Sequence, residues 1–319
     1  MMKNSCRLLL ILIGLWMANV SLAQKTFRNP IITGMNPDPS ICRVGDDFYL
    51  VTSTFEYFPG LPVYHSKDLV HWKLIGHALS RPENNPLMGC NASTGGQYAP
   101  TLRYHDGTFY VIGTNYGGKG SQGVFYVTAK NPAGPWSDPV WVGNWYVDPS
   151  IEFIDGKMYF LSPDNQGSFL LGVMDPETGT FVEPLRKVAS GLGGSSPEGP
   201  HFYKIGDYYY MYSTDAIFRE NRKEAKEKGV PLGFIQMRRS KDLVNWEFLG
   251  WALPEIPQEA VEWVRSHAGG HGATNIWAPY IIPYNNKYRL YYCVSAFGRK
   301  TSYICLLYTS PSPRDPKTS

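Results

Sequence analysis

The 319-residue chain is 43% hydrophobic and 14% aromatic, with 18% charged residues and a formal charge of +3. That balance supports a sizeable core and excludes a disordered or collagen-like chain, while 32 glycines, 25 prolines and 22 tyrosines point to many turns and aromatic strands. The basic excess lies at the two ends, in Lys3, Arg7, Arg314 and Lys317 against Asp315; residues 24–304 are neutral and offer no surface to a polyanion such as nucleic acid.

In chain order, Lys3 and Arg7 precede the apolar run LLLILIGLWMANV, and Ser21-Leu22-Ala23 supplies the small residues that a signal peptidase reads. Residues 1–23 read as a secretory signal peptide. The run is short for a membrane anchor, and Cys6 lies before it, where no lipid attachment is expected. The mature chain is expected to start near Gln24, secreted or periplasmic and free of the membrane after cleavage. Cys42, Cys90 and Cys293 then remain before residue 305, enough for one bridge at most, so no disulfide scaffold is built.

Five segments next share one plan: NPDPSICRVGDDFYLV (36–51), QYAPTLRYHDGTFYVI (97–112), YVDPSIEFIDGKMYFL (146–161), PEGPHFYKIGDYYYMY (197–212) and IWAPYIIPYNNKYRLY (276–291). Each has a proline (Pro39, Pro100, Pro149, Pro200, Pro279), an apolar or aromatic run, a tight Gly/Asp/Asn turn and a second aromatic run. Four place a tyrosine ten residues after the proline (Tyr49, Tyr110, Tyr159, Tyr210), and Arg289 takes that place in the last. These are β-hairpins. Their anchors lie 61, 49, 51 and 79 residues apart, the size of a four-stranded blade. The expected fold is an all-β, five-bladed propeller with an incomplete last blade; a β-sandwich with recurrent hairpins does not predict the fixed proline-to-tyrosine spacing. The one clear helical segment is 219–228, RENRKEAKEK, which has no apolar face and reads as a solvated insertion.

Residues beside the prolines gather at one end of a propeller channel. Asp38 and Asp148 directly precede Pro39 and Pro149, Glu198 lies two before Pro200, and Ala99 and Ala278 fill the matching places in the other repeats. Taken singly, Asp-Pro and Glu-Gly-Pro serve as turn or capping residues. Three acids at matched places, with no His/Asp/Glu cluster of metal spacing beside them, point to carboxylate acid/base chemistry of the kind glycoside hydrolysis needs.

NPDPSICRVGDDFYLVTSTFEYFPGLPVYHSKDLVHW, GGQYAPTLRYHDGTFYV, VDPS and PEGPHFYKI resemble glycoside hydrolase family 43, nearly continuously over residues 28–212. The resemblance implies a five-bladed propeller acting with inversion on β-xylosides, α-L-arabinofuranosides or arabinans. It makes Asp38 the general base, Asp148 the carboxylate that tunes and orients the acid, and Glu198 the general acid. Phe55 matches an aromatic wall of the sugar pocket. Tyr98 matches a position that is often Trp, and Ala99 and His201 complete the residues expected near the sugar. For Phe55, Tyr98 and His201 a purely structural role fits the sequence equally well. No cofactor is expected; some members hold a channel calcium, for which no ligand is matched here. The implied partner is a pentose-containing oligo- or polysaccharide. An exo-acting β-xylosidase or α-L-arabinofuranosidase leads, ahead of an endo-arabinanase and a non-catalytic carbohydrate-binding propeller.

Two features break the pattern. RSKDLVNWEFLG (239–250) repeats HSKDLVHWKLIG (65–76) at seven of twelve positions, and WAPYIIPYNNKYRLYY then repeats YAPTLRYHDGTFYV. Residues after about 207 thus resemble the start of a second, arabinanase-like member, with a chimeric join near 205–210. Residues 305–319, CLLYTSPSPRDPKTS, begin with the translation of a transposase sequencing adapter and read as a non-native tail, leaving 24–304 as the domain.

Overall fold

The structure, a computed structural model, describes residues 27–308 apart from 85–94, 118–122, 144–146, 165, 191–195, 217–226, 228–233, 254, 274, 285–286, 297–298 and 300. Residues 1–23, expected to be a signal peptide, nearly all of the 219–228 segment and residues 309–319 lie outside the described residues.

The five hairpins seed five antiparallel sheets. Blade 1 contains β1 (Ser40–Val44), β2 (Asp47–Val51), β3 (Gly60–Ser66) and β4 (Lys73–Leu79); blade 2 contains β5 (Gly96–His105), β6 (Thr108–Tyr116), β7 (Gly123–Ala129) and β8 (Val140–Gly143). Blade 3 is β9 (Ser150–Ile154), β10 (Lys157–Pro163), β11 (Ser168–Met174) and β12 (Arg186–Ser190), and blade 4 is β13 (Ser196–Ile205), β14 (Tyr208–Ala216), β15 (Ile235–Ser240) and β16 (Glu247–Leu253). Blade 5 has three strands among the described residues: β17 (Asn275–Tyr284), β18 (Lys287–Ser295) and β19 (Ser302–Tyr308). Residues 305–308, set apart in the sequence, form the second half of β19.

The first strand of every blade faces the channel, and β1, β5, β9, β13 and β17 adjoin one another in a ring. The ring closes where residues 27–36 meet blade 5: Asn36 N donates to Ser302 Oγ at 2.8 Å, and Leu306 N to Asn29 Oδ1 at 3.3 Å. Apolar residues fill the seams between neighbouring blades. Leu102 and Phe109 pack on Val51 and Val63, Phe160 on Ile112, Phe202 on Leu161 and Leu171, Ile281 on Tyr210, and Ile41 on Tyr291 and Ile304.

The register explains the fixed spacing. The tyrosine ten residues after each proline stands opposite the residue three after it: Tyr49 on Cys42, Tyr110 on Arg103, Tyr159 on Glu152 and Tyr210 on Tyr203. Each then packs into the seam with the following blade. Arg289, opposite Ile282, makes the corresponding contact by donating to Asp68 O of blade 1 and lying 4.1 Å over the Tyr284 ring.

The duplicated SKDLV segments occupy the same place in blades 1 and 4, between the third and fourth strands. Asp68 and Asp242 each accept two backbone N–H bonds, and Leu69 (φ 67°) and Leu243 (φ 61°) are buried against the preceding blade.

One helix was not foreseen. α1 (Gln258–His267) buries Ala260 and Val264 between blades 4 and 5. Its apolar face, Ala260, Trp263 and Val264 at i, i+3 and i+4, spans little more than one turn, and Pro257 before it and Glu259 in its first turn are ordinary start signals.

Candidate active site

The residue before each repeat proline lies in the left-handed region: Asp38 (φ 55°), Ala99 (36°), Asp148 (48°), Gly199 (54°) and Ala278 (41°). In β5, β13 and β17 the pairing register breaks across that X-Pro pair, between Tyr98 and Thr101, Glu198 and His201, and Trp277 and Tyr280. The pair is therefore a bulge in the inner strand. β1 and β9 start directly after theirs. A non-glycine residue at positive φ costs about 1 kcal/mol or more, and this chain bears that cost at four of five equivalent places around one end of its channel.

Asp38 is half-buried at this end. Ser53 Oγ donates to Asp38 Oδ2 at 2.5 Å and accepts from Ala99 N at 2.6 Å, joining blade 1 to the bulge of blade 2. Loss of solvent around it pushes the Asp38 carboxyl up to about 6, against the opposing pull of the Ser53 hydroxyl and the Ala99 N–H. Asp148 is likewise half-buried, and its carboxyl is raised by desolvation and by the negative charge of Asp38 nearby. Gly199 N donates to Asp148 Oδ2 at 2.9 Å. That bond ties the half-buried Glu198, one residue earlier, to the Asp148 carboxylate. A side chain at Gly199 would start 3.0 Å from Ala278 Cα, so blades 4 and 5 meet there through small residues.

Phe55 and Tyr98 stand together on the blade 1–blade 2 side, ring centroids 4.6 Å apart at 56°. Phe55 (φ 50°) is fixed by paired backbone bonds, Phe55 N to Gln97 O and Gln97 N to Phe55 O, each 2.9 Å. Gly96 admits this approach: a Cβ there would fall 1.9 Å from Phe55 O. Ala99 contributes its N–H to Ser53 and keeps its small side chain buried.

His201 lies below the carboxylates. It is buried, edge-on to Tyr280 at 4.9 Å and 3.5 Å from Thr101 Oγ1, and burial and the Arg103 charge hold it neutral by lowering its pKa. It belongs to a set formed by the residues after each proline (Ser40, Thr101, Ser150, His201, Tyr280), all of them buried. Thr101 Oγ1 donates to Pro149 O at 2.9 Å and Leu102 N to Ser40 Oγ at 2.9 Å, tying neighbouring blades together.

One layer further, Arg103 Nε bonds Glu152 Oε2 at 2.8 Å and its Nη1 donates to Tyr280 OH at 2.5 Å. Ser53 and the Arg103–Glu152 pair were missed by sequence reasoning. The pair sits three residues after Pro100 and Pro149, so alignment of the repeats was the one available signal. No group of three His, Cys, Asp or Glu among the described residues gathers to hold a metal ion, and none of the chemistry below is routed through one.

Residues 27–230 match the family described as Glycosyl hydrolases family 43. The chain is 98% identical over 215 residues (67% of it) to the Bacteroides ovatus "Non-reducing end alpha-L-arabinofuranosidase BoGH43B", of which it covers 41%, and 42% identical over 210 residues (61%) to a Vibrio sp. "Xylan 1,3-beta-xylosidase", of which it covers 39%. Among solved structures, "Bacteroides ovatus Xyloglucan PUL GH43B" aligns with TM-score 0.72 at 67% identity over 90% of this chain and 54% of that one. The chain thus spans about two fifths of the length of the curated relatives it matches.

Proposed function

This chain belongs to glycosyl hydrolases family 43, and from that premise we propose that it is an inverting exo-glycosidase that releases terminal L-arabinofuranose or D-xylose from plant cell-wall glycans. The observation that carries the reading is the grouping of two half-buried carboxylates of raised pKa, Asp38 and Asp148, with the Gly199 N–H that couples Asp148 to Glu198. Two acids of opposite protonation are what hydrolysis with inversion requires.

In the proposed step, Asp38 in its ionised form accepts a proton from a water molecule whose oxygen bonds to the anomeric carbon. The bond from that carbon to the leaving oxygen breaks, and the oxygen takes its proton from Glu198. Solvent then returns a proton to Glu198 and removes one from Asp38. Asp148 accepts from Gly199 and holds the backbone that carries Glu198; once Asp148 itself is ionised at higher pH, its charge disfavours loss of the acid's proton. The names of the relatives, a non-reducing end arabinofuranosidase and a xylosidase, support removal of a terminal residue. The name of the 98% identical relative supports arabinose before xylose.

The test pairs 4-nitrophenyl α-L-arabinofuranoside with 4-nitrophenyl β-D-xylopyranoside and follows the first-formed anomer by NMR. The expected result is turnover with inversion that is lost in Asp38→Asn and Glu198→Gln. Retention, or full activity in Asp38→Asn, would refute the mechanism. We also infer export, supported by the residue 1–23 pattern, and a join within the chain, supported by the fall in identity between the 215-residue and the 90% alignments. One long read of the source DNA across codons 195–319 decides the join.

A further inference from the structure

Three aromatic rings run outward from the carboxylate end of the channel. Phe55 and Tyr98 are half-buried beside it; Tyr98 meets Tyr116 edge to face at 6.1 Å, and Tyr116 is 48% exposed at the end of β6. Backbone pairing fixes this order. Gly96 stands opposite Tyr116 in the β5–β6 ladder and touches the Phe55–Glu56 backbone on its other side. On the same loop as Phe55, Tyr57 and Phe58 are 46% and 49% exposed. Three of the strongly exposed large hydrophobics among the described residues therefore adjoin one edge of the site.

Exposed aromatic surface beside a cleft marks a ligand groove. The aromatic face is apolar and the phenol edge polar, matching the C–H face and hydroxyl rim of a pyranose. The occupant follows from where these rings lie. The residues after each proline, Ser40, Thr101, Ser150, His201 and Tyr280, are buried, whereas the exposed rings adjoin the site beside Phe55 and Tyr98, which places the leaving group of a pentose held at Asp38 and Glu198 toward Tyr98 and Tyr116.

We propose that Tyr116 forms a leaving-group subsite that stacks on a pyranose ring of a neutral polysaccharide main chain, so that the protein selects pentosyl branches carried on such a chain. This rests on the exo-pentosidase reading for which ring lies where. The subsite adds contact only when the leaving group is a sugar chain, and it contributes nothing to a free pentose in the pocket.

The test compares wild type, Tyr116→Ala and Tyr116→Phe in kcat/KM on an arabinosylated xylohexaose and in the competitive Ki of free L-arabinose. In Tyr116→Ala, kcat/KM is expected to fall roughly five- to tenfold with Ki unchanged, while Tyr116→Phe stays at the wild-type value. A Ki that rises in step with the loss would make Tyr116 a mere prop for Tyr98 and overturn the subsite. An unchanged kcat/KM would also overturn it. Wild type inactive on every pentoside refutes the proposed function instead; titration of unbranched xylohexaose then decides the subsite. Binding that is lost in Tyr116→Ala upholds it, and absent or equal binding overturns it.

Discussion

Replacing Asp38 by Asn should abolish activity and stabilise the fold, and the second effect has a definite pH dependence. Burial raises the Asp38 carboxyl from 3.8 to about 6, so the folded chain holds that proton more tightly than the unfolded chain does. Its contribution to stability is therefore fully present below pH 3.8 and is lost as pH rises through about 6. The gap corresponds to about 3 kcal/mol. Asn keeps an oxygen to accept the Ser53 hydroxyl and carries no charge to desolvate. Removing the Asp38 charge also relieves Asp148, whose carboxyl it raises. Urea unfolding of wild type and Asp38→Asn at pH 4, 6 and 8 should give a difference near zero at pH 4, growing to about 3 kcal/mol in favour of the variant at pH 8. Turnover should fall by about 10³-fold. A difference that is the same at all three pH values, or a variant less stable than wild type at pH 8, would refute the reasoning.

Ser53→Ala removes the hydroxyl that bonds Asp38, so the acidic limb of kcat/KM, expected near pH 6 where Asp38 gains its proton, should move to higher pH and broaden; an unmoved limb would separate Ser53 from the base. Glu152→Gln leaves Arg103 charged and buried and should cost about 3 kcal/mol in thermal unfolding, most of it recovered when Arg103→Met is added. Gly96→Ala drives a Cβ into Phe55 O at a position with φ 110°, and should cost more than about 2 kcal/mol and raise KM as Phe55 leaves the pocket edge. Unchanged stability in that variant would mean that the loop is not seated on β5.

The blades were legible in the sequence because their anchors obey two local rules at once. In every blade a Pro follows the left-handed residue of the inner strand, and in four of them a hairpin of fixed length sets a Tyr opposite the third residue beyond that Pro. Both leave marks at constant spacing. What crosses between blades leaves no such mark. Ser53 reaches Asp38 and Ala99 from beyond the end of a different strand, and Arg103 finds Glu152 49 residues away, so nothing in the residues beside either one names its partner. His201 directly follows the acid motif and is buried beside Thr101 and Tyr280, partners from blades 2 and 5 that no local pattern around it announces.

Asp38 and Asp148 occupy the same backbone position in blades 1 and 3, so their different proposed roles must come from their surroundings. Asp38 has two opposing donors, the Ser53 hydroxyl and the Ala99 N–H, which favour its ionised form. Asp148 has the single Gly199 N–H and feels the charge of Asp38. When one proton leaves the pair, it therefore leaves Asp38 first, as a base requires, and the resulting charge holds the next proton on Asp148 more firmly. Exchanging donors should exchange roles. Ser53→Ala weakens the bias toward an ionised Asp38, and a hydroxyl introduced within reach of Asp148 lowers the energy of the wrong carboxylate. The first change alone should flatten the acidic limb of the pH profile into two shallower steps, because the two acids then share the proton more evenly. A single sharp step retained in Ser53→Ala would show that geometry, and not the donor count, separates the pair.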